Sequence, residues 1–390
     1  MKIAIYGGSF NPPHCGHVEA AAAVMEHLKP DKMLIIPASI PPHKELCIDS
    51  PDPQERLLLT RLAFSELEGA EVSDIEIMRE GKSYSAETLE QLMKLYPGAE
   101  FCFAMGTDMF LSFEQWYRYR FLLENMTLAV FCRCYGEDAG ILEHAEYLKK
   151  EYGAKCVFVP HEPQPMSSSD IRDMLRRRMG VSYLPEKVYA RIIENGDYGA
   201  KPELYWLREK AHAMLKPSRV AHVIGCEAEA VQLAKRWGED PENAAEAGIL
   251  HDITKKLVLS DQLILCRKYG IINDNAEERN FKLLHAKTGA ALARALFGIS
   301  DEVYNAIRWH TTGKPDMTLL EKIIYMADYI EPNRDFPGVE ELRRLAYEDL
   351  DKAMALGLEM SLEDIKSSGQ EPYKDTVEAF EWYSQLIKKQ

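Results

Sequence analysis

The eight cysteines of this 390-residue chain include no C-x-x-C pair; the nearest two, Cys132 and Cys134, are separated by one residue. Nothing here supports a disulfide framework, and thiols inside runs such as EFCFAM and LAVFCRC read as small core residues. No apolar run reaches the ~18 residues that a membrane-spanning helix needs. No charged leader and apolar stretch precede the opening run MKIAIYGG, so the expected location is the reducing cytoplasm. Cations are also short: Lys+Arg number 47 against 62 Asp+Glu, for a net charge of -15. A surface that coats nucleic acid should be basic, so neither nucleic acid nor membrane is expected as a partner. Both G-x-G-x-x-G and the P-loop signature are missing, which removes the usual dinucleotide-redox and Walker-type readings.

What is present is apolar content of 46% with 28% charged residues, a globular composition whose length suggests two domains. In the first half, short apolar runs (KIAIYGG, KMLIIPA, EVSDIEIM, EFCFAMG, TLAVFCR, KCVFVP) alternate with helix-spaced segments such as VEAAAAVMEHLK. Strands apolar throughout imply a parallel sheet covered on both faces, hence a doubly wound, Rossmann-like α/β domain. From about residue 203 the strand runs stop and long amphipathic segments follow, the pattern of an all-α helical bundle. ENGDYGAKPE reads as a helix stop and linker, which places the domains at 1–198 and 199–390.

Gly7-Gly8-Ser9-Phe10-Asn11-Pro12-Pro13-His14-Cys15-Gly16-His17 follows the first strand directly. In a doubly wound sheet ligands bind beyond the strands' carboxyl ends, and the next helix N-terminus attracts phosphate. Gly7 and Gly8 let the backbone approach an anion, Gly16 lets the helix start do the same, and His14 and His17 can donate to phosphate oxygens. These residues resemble the HxGH nucleotidyltransferases, and further segments resemble the nicotinate-nucleotide adenylyltransferases among them. Pro41-Pro42-His43-Lys44 is similar to that family's PPHK loop, and Ser83-Tyr84-Ser85-Ala86-Glu87-Thr88-Leu89 to its SYTxDTL segment. Gly106-Thr107-Asp108 resembles its GxD, Trp116-Tyr117-Arg118 its aromatic pair, and Ser167-Ser168-Ser169-Asp170-Ile171-Arg172 its SSTDIR helix start. Ser85 and Ser169 stand where the family usually has Thr, and Asn11 where it often has Asp.

The resemblance implies transfer of AMP from ATP to nicotinate mononucleotide, giving deamido-NAD and pyrophosphate. It assigns His14, His17, Lys44 and Arg172 to charge stabilisation. Gly7, Gly8, Ser9, Phe10, Ser85, Gly106, Asp108, Ser168 and Ser169 fall to substrate and ATP, and Trp116 and Tyr117 to the pyridine ring. No carboxylate cluster here suits a dedicated cage, so Mg2+ is expected to arrive with ATP. Another HxGH transferase, acting on a cytidyl or phosphopantetheine substrate, is the alternative.

In the second half, His222, His251, His285 and His310 stand 29, 34 and 25 residues apart, and Asp328 follows 18 later. Each lies in an apolar helical context (RVAHVIG, AGILHDITK, KLLHAKTGA, NAIRWHTTG, YMADYIEP), where a lone ionisable group would be costly to bury. With Asp252 able to bridge, four histidines and two aspartates resemble a binuclear site for divalent metals. His212, in REKAHAML, lacks that context and is left on the surface. The set resembles the HD-domain phosphohydrolases, and the HTTG and ADYIEPNRDFPGV segments resemble the bacterial symmetrical diadenosine tetraphosphate hydrolases. That resemblance implies an iron pair and cleavage to two ADP. Lys255, Arg308 and Arg334 are the candidate phosphate donors, and Asp252 also counts as catalytic. Cleavage of another nucleotide, or nucleotide sensing without cleavage, is the alternative. Self-association is compatible with this sequence.

Overall fold

The computed structural model describes residues 1–42, 45–131, 138–161, 166–271 and 281–389, which divide into two compact units, Met1–Lys201 and Pro202–Gln390. The first contains β1 (Lys2–Gly8), α1 (Cys15–Leu28), β2 (Lys32–Pro37), α2 (Pro53–Ala63), β3 (Ala70–Val72), α3 (Ser85–Leu95) and β4 (Glu100–Gly106). It continues with α4 (Thr107–Leu111), α5 (Tyr119–Asn125), β5 (Met126–Phe131), α6 (Asp138–Tyr152), β6 (Lys155–Val159), α7 (Ser168–Arg176) and α8 (Glu186–Asn195).

The strands pair in parallel in the order β3-β2-β1-β4-β5-β6. Ile3, Ala4 and Ile5 of β1, Leu34, Ile35 and Ile36 of β2, and Leu128, Ala129 and Val130 of β5 are all buried. These strands lack polar alternation because helices cover both sheet faces. The chain steps from β1 to β2 on one side and later returns to place β4 on the other. A crevice therefore opens beyond the carboxyl ends of β1 and β4.

Two expectations are adjusted. EVSDIEIM is strand only at its start: β3 ends at Val72, at the edge of the sheet, and the chain then turns. ENGDYGAKPE is not simply a linker. Gly196 caps α8 in the left-handed region, and Tyr198, 1% exposed, donates its hydroxyl to Asn11 Oδ1 at 2.8 Å. An apolar ring seated that deeply belongs to the first unit's core.

Arg56 on α2 is fully buried. Its Nη1 donates to Ser9 O at 3.0 Å and Ala38 O at 2.7 Å, and its Nη2 to Ser39 O at 2.7 Å. One guanidinium thus joins the loops that leave β1 and β2, the two walls of the crevice. Charge-assisted bonds of this kind are stronger than neutral ones.

The second unit is helical: α9 (Leu204–Ala213), α10 (Pro217–Trp237), α11 (Pro241–Leu250), α12 (Leu259–Tyr269), α13 (Phe281–Phe297), α14 (Asp301–Trp309), α15 (Leu319–Ile330), α16 (Val339–Glu348), α17 (Leu350–Ser367) and α18 (Lys374–Lys389). Pro217 opens α10 and left-handed Gly238 closes it; Thr318 and Glu321 form a reciprocal cap on α15. Helix α10 packs against α11 and α15. The α10–α11 approach depends on Gly248, where a Cβ would come within 2.8 Å of Glu227 Cα. No helix among the described residues is long and apolar enough to cross a membrane.

Candidate active sites

In the first unit, a cavity of about 600 Å³ opens where the sheet topology places it. Gly7, Gly8, Ser9, His14, Gly16 and His17 line one side. A Cβ on Gly8 would come within 3.2–3.4 Å of three atoms of the Phe10 ring, and one on Gly7 within 3.2 Å of Phe103. Both glycines are thus needed for packing as well as for anion approach. Phe10 itself does not line the cavity: it is 1% exposed and packs edge-on against Tyr6, His17 and Phe64.

His14 is the N-cap of α1, which carries no acidic residue in its first turn. The His14 backbone N–H donates to His17 Nδ1 at 3.2 Å. A ring nitrogen that accepts leaves the proton on the other one, so His17 presents Nε2–H as a donor. The two imidazoles lie 3.7 Å apart, centroid to centroid.

The opposite wing carries Ser83, Tyr84, Ser85, Trp116 and Tyr117, with Gly106 and Asp108 at the end of β4. Trp116 is held against Phe103 and Phe113, and Tyr117 leans on Tyr84 with ring centroids 4.7 Å apart. Glu76, which the sequence reading placed in a strand, is a cavity residue. Burial pushes its carboxyl up, while Thr88 donates to its Oε1 at 2.5 Å.

The SSSDIR segment reaches this site from 156 residues away, as Ser168 Oγ donates to Pro12 O at 3.1 Å. Arg172, expected to face phosphate, instead donates to Asn11 O at 2.6 Å and to Ser169 Oγ at 2.9 Å. Neither Arg172 nor Ser169 lines the cavity, and Ser169 is exposed. In this structure Arg172 holds the Asn11–Pro13 loop in place. Lys44 lies outside the described residues.

In the second unit, α10, α13 and α15 deliver His222, His285 and Asp328, while His251 and His310 cap the carboxyl ends of α11 and α14. Asp252, fully buried, divides them. Its Oδ2 lies 3.4 Å from His251 Nε2 and 3.9 Å from His222 Nε2. Asp328 Oδ1 joins that side, 2.9 Å from His222 Nε2 and 3.9 Å from His251 Nε2. Asp252 Oδ1 lies 3.2 Å from His285 Nε2 and 3.7 Å from His310 Nε2. One carboxylate therefore faces two donor sets, as a ligand bridging two cations would.

The ring tautomers suit metal binding. His251 Nδ1 lies 2.8 Å from Gly248 O, His310 Nδ1 2.6 Å from Ile307 O, and His222 Nδ1 3.0 Å from Glu331 Oε1. Those acceptors hold the proton on Nδ1 and leave each Nε2 lone pair directed into the cluster. His222 Nε2, His251 Nε2 and Asp252 Oδ1 are buried without a well-directed hydrogen bond. Polar atoms orphaned together in an apolar core are costly unless a shared cation satisfies them. His222, His251 and Asp328 form one group able to hold an ion, and His251, Asp252 and His310 another. Burial would push the Asp252 carboxyl up, but His251, His285 and His310 hold it well below the usual carboxylate range. Burial, with Lys255 beside it, drives His285 down to about 4.

Lys255 Nζ is 2.9 Å from His285 Nε2, and Arg334 Nη2 donates to Asp328 Oδ1 at 2.8 Å, so both reach the cluster. Arg308 lies over the Trp309 ring at 4.9 Å, and among the described residues no contact ties it to the ligand set. His212 stays on α9.

Two residues went unforeseen. Arg219 Nε donates to Asp252 Oδ2 at 2.6 Å; its position three before His222 on one helix was the available signal. Glu331, 1% exposed, orients His222 and accepts from Asn333 N and Nδ2, both at 2.8 Å. A Cβ on Gly225 would overlap Glu331 Oε2. Gly225→Ala is therefore expected to displace this carboxylate and weaken metal binding about 10–100-fold. Metal titration of the folded variant, with Glu331→Gln alongside, checks this.

Together these features describe a nucleotide-binding α/β unit joined to a helical unit with a His/Asp metal centre. Residues 5–174 match the cytidylyltransferase-like family and residues 219–333 the HD domain. A relative from Carboxydothermus hydrogenoformans, named probable nicotinate-nucleotide adenylyltransferase, is 37% identical over 198 residues, 50% of this chain and 98% of its own. The symmetrical bis(5'-nucleosyl)-tetraphosphatase of Bacillus subtilis is 39% identical over 182 residues, 45% of this chain and 96% of its own. A Mycoplasma genitalium relative named for both, probable nicotinate-nucleotide adenylyltransferase/Ap4A hydrolase, is 28% identical across 92% of this chain and 97% of its own. The chain belongs to the nicotinate-nucleotide adenylyltransferase family in its first half and to the symmetrical tetraphosphatase family of HD-domain proteins in its second.

Proposed function

We propose that the chain is a bifunctional enzyme. Its first unit joins nicotinate mononucleotide to the AMP of ATP, and its second cleaves diadenosine tetraphosphate into two ADP. What supports this reading is that His14, His17, Trp116 and Tyr117 line the crevice beyond β1 and β4, that four histidines and Asp328 gather round Asp252, and that the two halves are 37% and 39% identical to relatives so named.

In the first reaction, a 5′-phosphate oxygen attacks the α-phosphorus of ATP. The α–β bond breaks and pyrophosphate leaves, so no protein nucleophile takes part. Positioning and charge stabilisation supply the acceleration. His17 donates from Nε2 to a phosphate oxygen, His14 is the second donor, and the α1 N-terminus adds positive potential. Mg2+ arrives with ATP. Trp116 and Tyr117 stack the pyridine ring.

In the second unit, His222, His251 and Asp328 with Asp252 Oδ2 would hold one cation, and His285 and His310 with Asp252 Oδ1 the other. Bound there, divalent cations supply Lewis-acid polarisation of the phosphate chain. Water enters at a β-phosphorus and the central P–O–P bond breaks. Lys255 and Arg334, which reach the cluster through His285 and Asp328, are the cations assigned to steady phosphate oxygens. Such a donor set suits several first-row ions, and the family resemblance favours iron.

Chromatography tests both halves. ATP with nicotinate mononucleotide should yield deamido-NAD and pyrophosphate, and diadenosine tetraphosphate should yield ADP as the sole nucleotide. A mixture of AMP and ATP from the second incubation would overturn symmetric cleavage, and no product from either would overturn that half.

A further inference from the structure

We propose that the first unit also joins two ATP molecules into diadenosine tetraphosphate, so that one site of this chain makes the substrate of the other. The inference rests on the function proposed above. Its starting point is the chemistry of the acceptor. The nucleophile in adenylyl transfer is an oxygen of a terminal phosphate, and the γ-phosphate of ATP is also a terminal phosphate. If a second ATP presents it, a γ-oxygen attacks the α-phosphorus of the donor. One new P–O–P bond forms, the α–β bond of the donor breaks, and its electron pair leaves on pyrophosphate. The balance is two ATP to one diadenosine tetraphosphate and one pyrophosphate. The attacking oxygen is already ionised at neutral pH, so no base, oxidant or further reactant is needed.

The acceptor wing decides whether ATP is excluded. A site rejects a wrong base strongly when buried polar groups are left unpaired by it, and weakly when recognition is by ring contact. Here the wing offers aromatic faces, Trp116 backed by Phe103 and Phe113 and Tyr117 leaning on Tyr84, beside the polar Ser83, Ser85 and Glu76. Stacking is tolerant of base identity because every base has a π-face. Among the described residues lining the cavity there is no lysine or arginine to demand a carboxylate on the ring. Tyr117 is 49% exposed, so the wing opens towards solvent at its aromatic side. At the phosphate end, His14 and His17 can donate to the oxygens of any terminal phosphate, and the two further phosphates of ATP would set its base farther out than the ring of a mononucleotide. A tetraphosphate-cleaving unit on the same chain then has an immediate source of substrate. Over one cycle, two ATP and one water become two ADP and one pyrophosphate.

The test uses the full chain as Asp252→Asn, loaded with Mg2+ and ATP and no mononucleotide, with products separated by chromatography and identified by mass. Diadenosine tetraphosphate should accumulate at roughly 10⁻² to 10⁻⁴ of the rate at which the same preparation makes deamido-NAD, a ratio within the range of enzyme discrimination. It should fall as nicotinate mononucleotide is added and vanish in the Asp252→Asn/His17→Ala double variant. Deamido-NAD formed at the parent rate with no tetraphosphate would overturn the inference and leave the proposed function standing. Tetraphosphate that persists in the double variant would overturn it as well, by placing synthesis outside this site. Failure to form either product would overturn both. If Asp252→Asn does not fold, His251→Gln takes its place.

Discussion

Asp252→Asn is expected to lower hydrolysis of diadenosine tetraphosphate by more than about 100-fold, at or beyond the upper end of what loss of a metal's supporting residues costs. Adenylyl transfer measured in the same preparation should be unchanged. The substitution keeps size and shape in a fully buried position, so packing is not the cause. What changes is charge: Oδ1 and Oδ2 each face their own histidines, and an amide can supply only one oxygen. Its nitrogen would bring hydrogens against Nε2 lone pairs or against a cation. Metal analysis should show the loss alongside the activity. Normal metal content with normal hydrolysis would remove Asp252 from the bridging role.

The second large effect is expected for His17→Ala, with the adenylyl-transfer kcat falling about 10²–10³-fold, the usual cost of removing one preorganised donor to developing charge. Hydrolysis by the same protein should persist. The argument is one of proton placement. Because the His14 backbone N–H occupies His17 Nδ1, the donor at Nε2 is set before substrate arrives. A donor that strengthens only as charge develops should appear in kcat more than in KM. An equal fall in hydrolysis, or a rise in KM alone, would sink this assignment. Circular dichroism separates it from fraying of α1.

The segment from Gly7 to His17 shows how much local sequence can determine. Two glycines, two histidines and the helix start they flank are legible in the sequence, because a β-turn-α unit is local and its chemistry stays within it. Trp116 and Tyr117 were placed by resemblance and do line the cavity. Arg172 was legible as a residue of the motif but not as a partner of Asn11, 161 residues earlier in the chain. Glu76 carried no signal, because a buried acid in the turn beyond a short edge strand resembles any surface glutamate in the sequence.

By itself, the sequence determined the alternation of strands and helices, the change to an all-helical pattern after about residue 203, and the identity of the four histidines and two aspartates. These depend on periodicity and on the cost of placing ionisable groups in apolar stretches, both of which are local. Only the tertiary structure decided how Asp252 divides the ligands. The same holds for Glu331 orienting His222 from 109 residues away, for Arg219 sitting against Asp252, and for Arg56 and Tyr198 bracing the first site. Such contacts join residues tens to more than a hundred positions apart. They arise when packed helices leave buried polar atoms that must find partners, a condition no local pattern records.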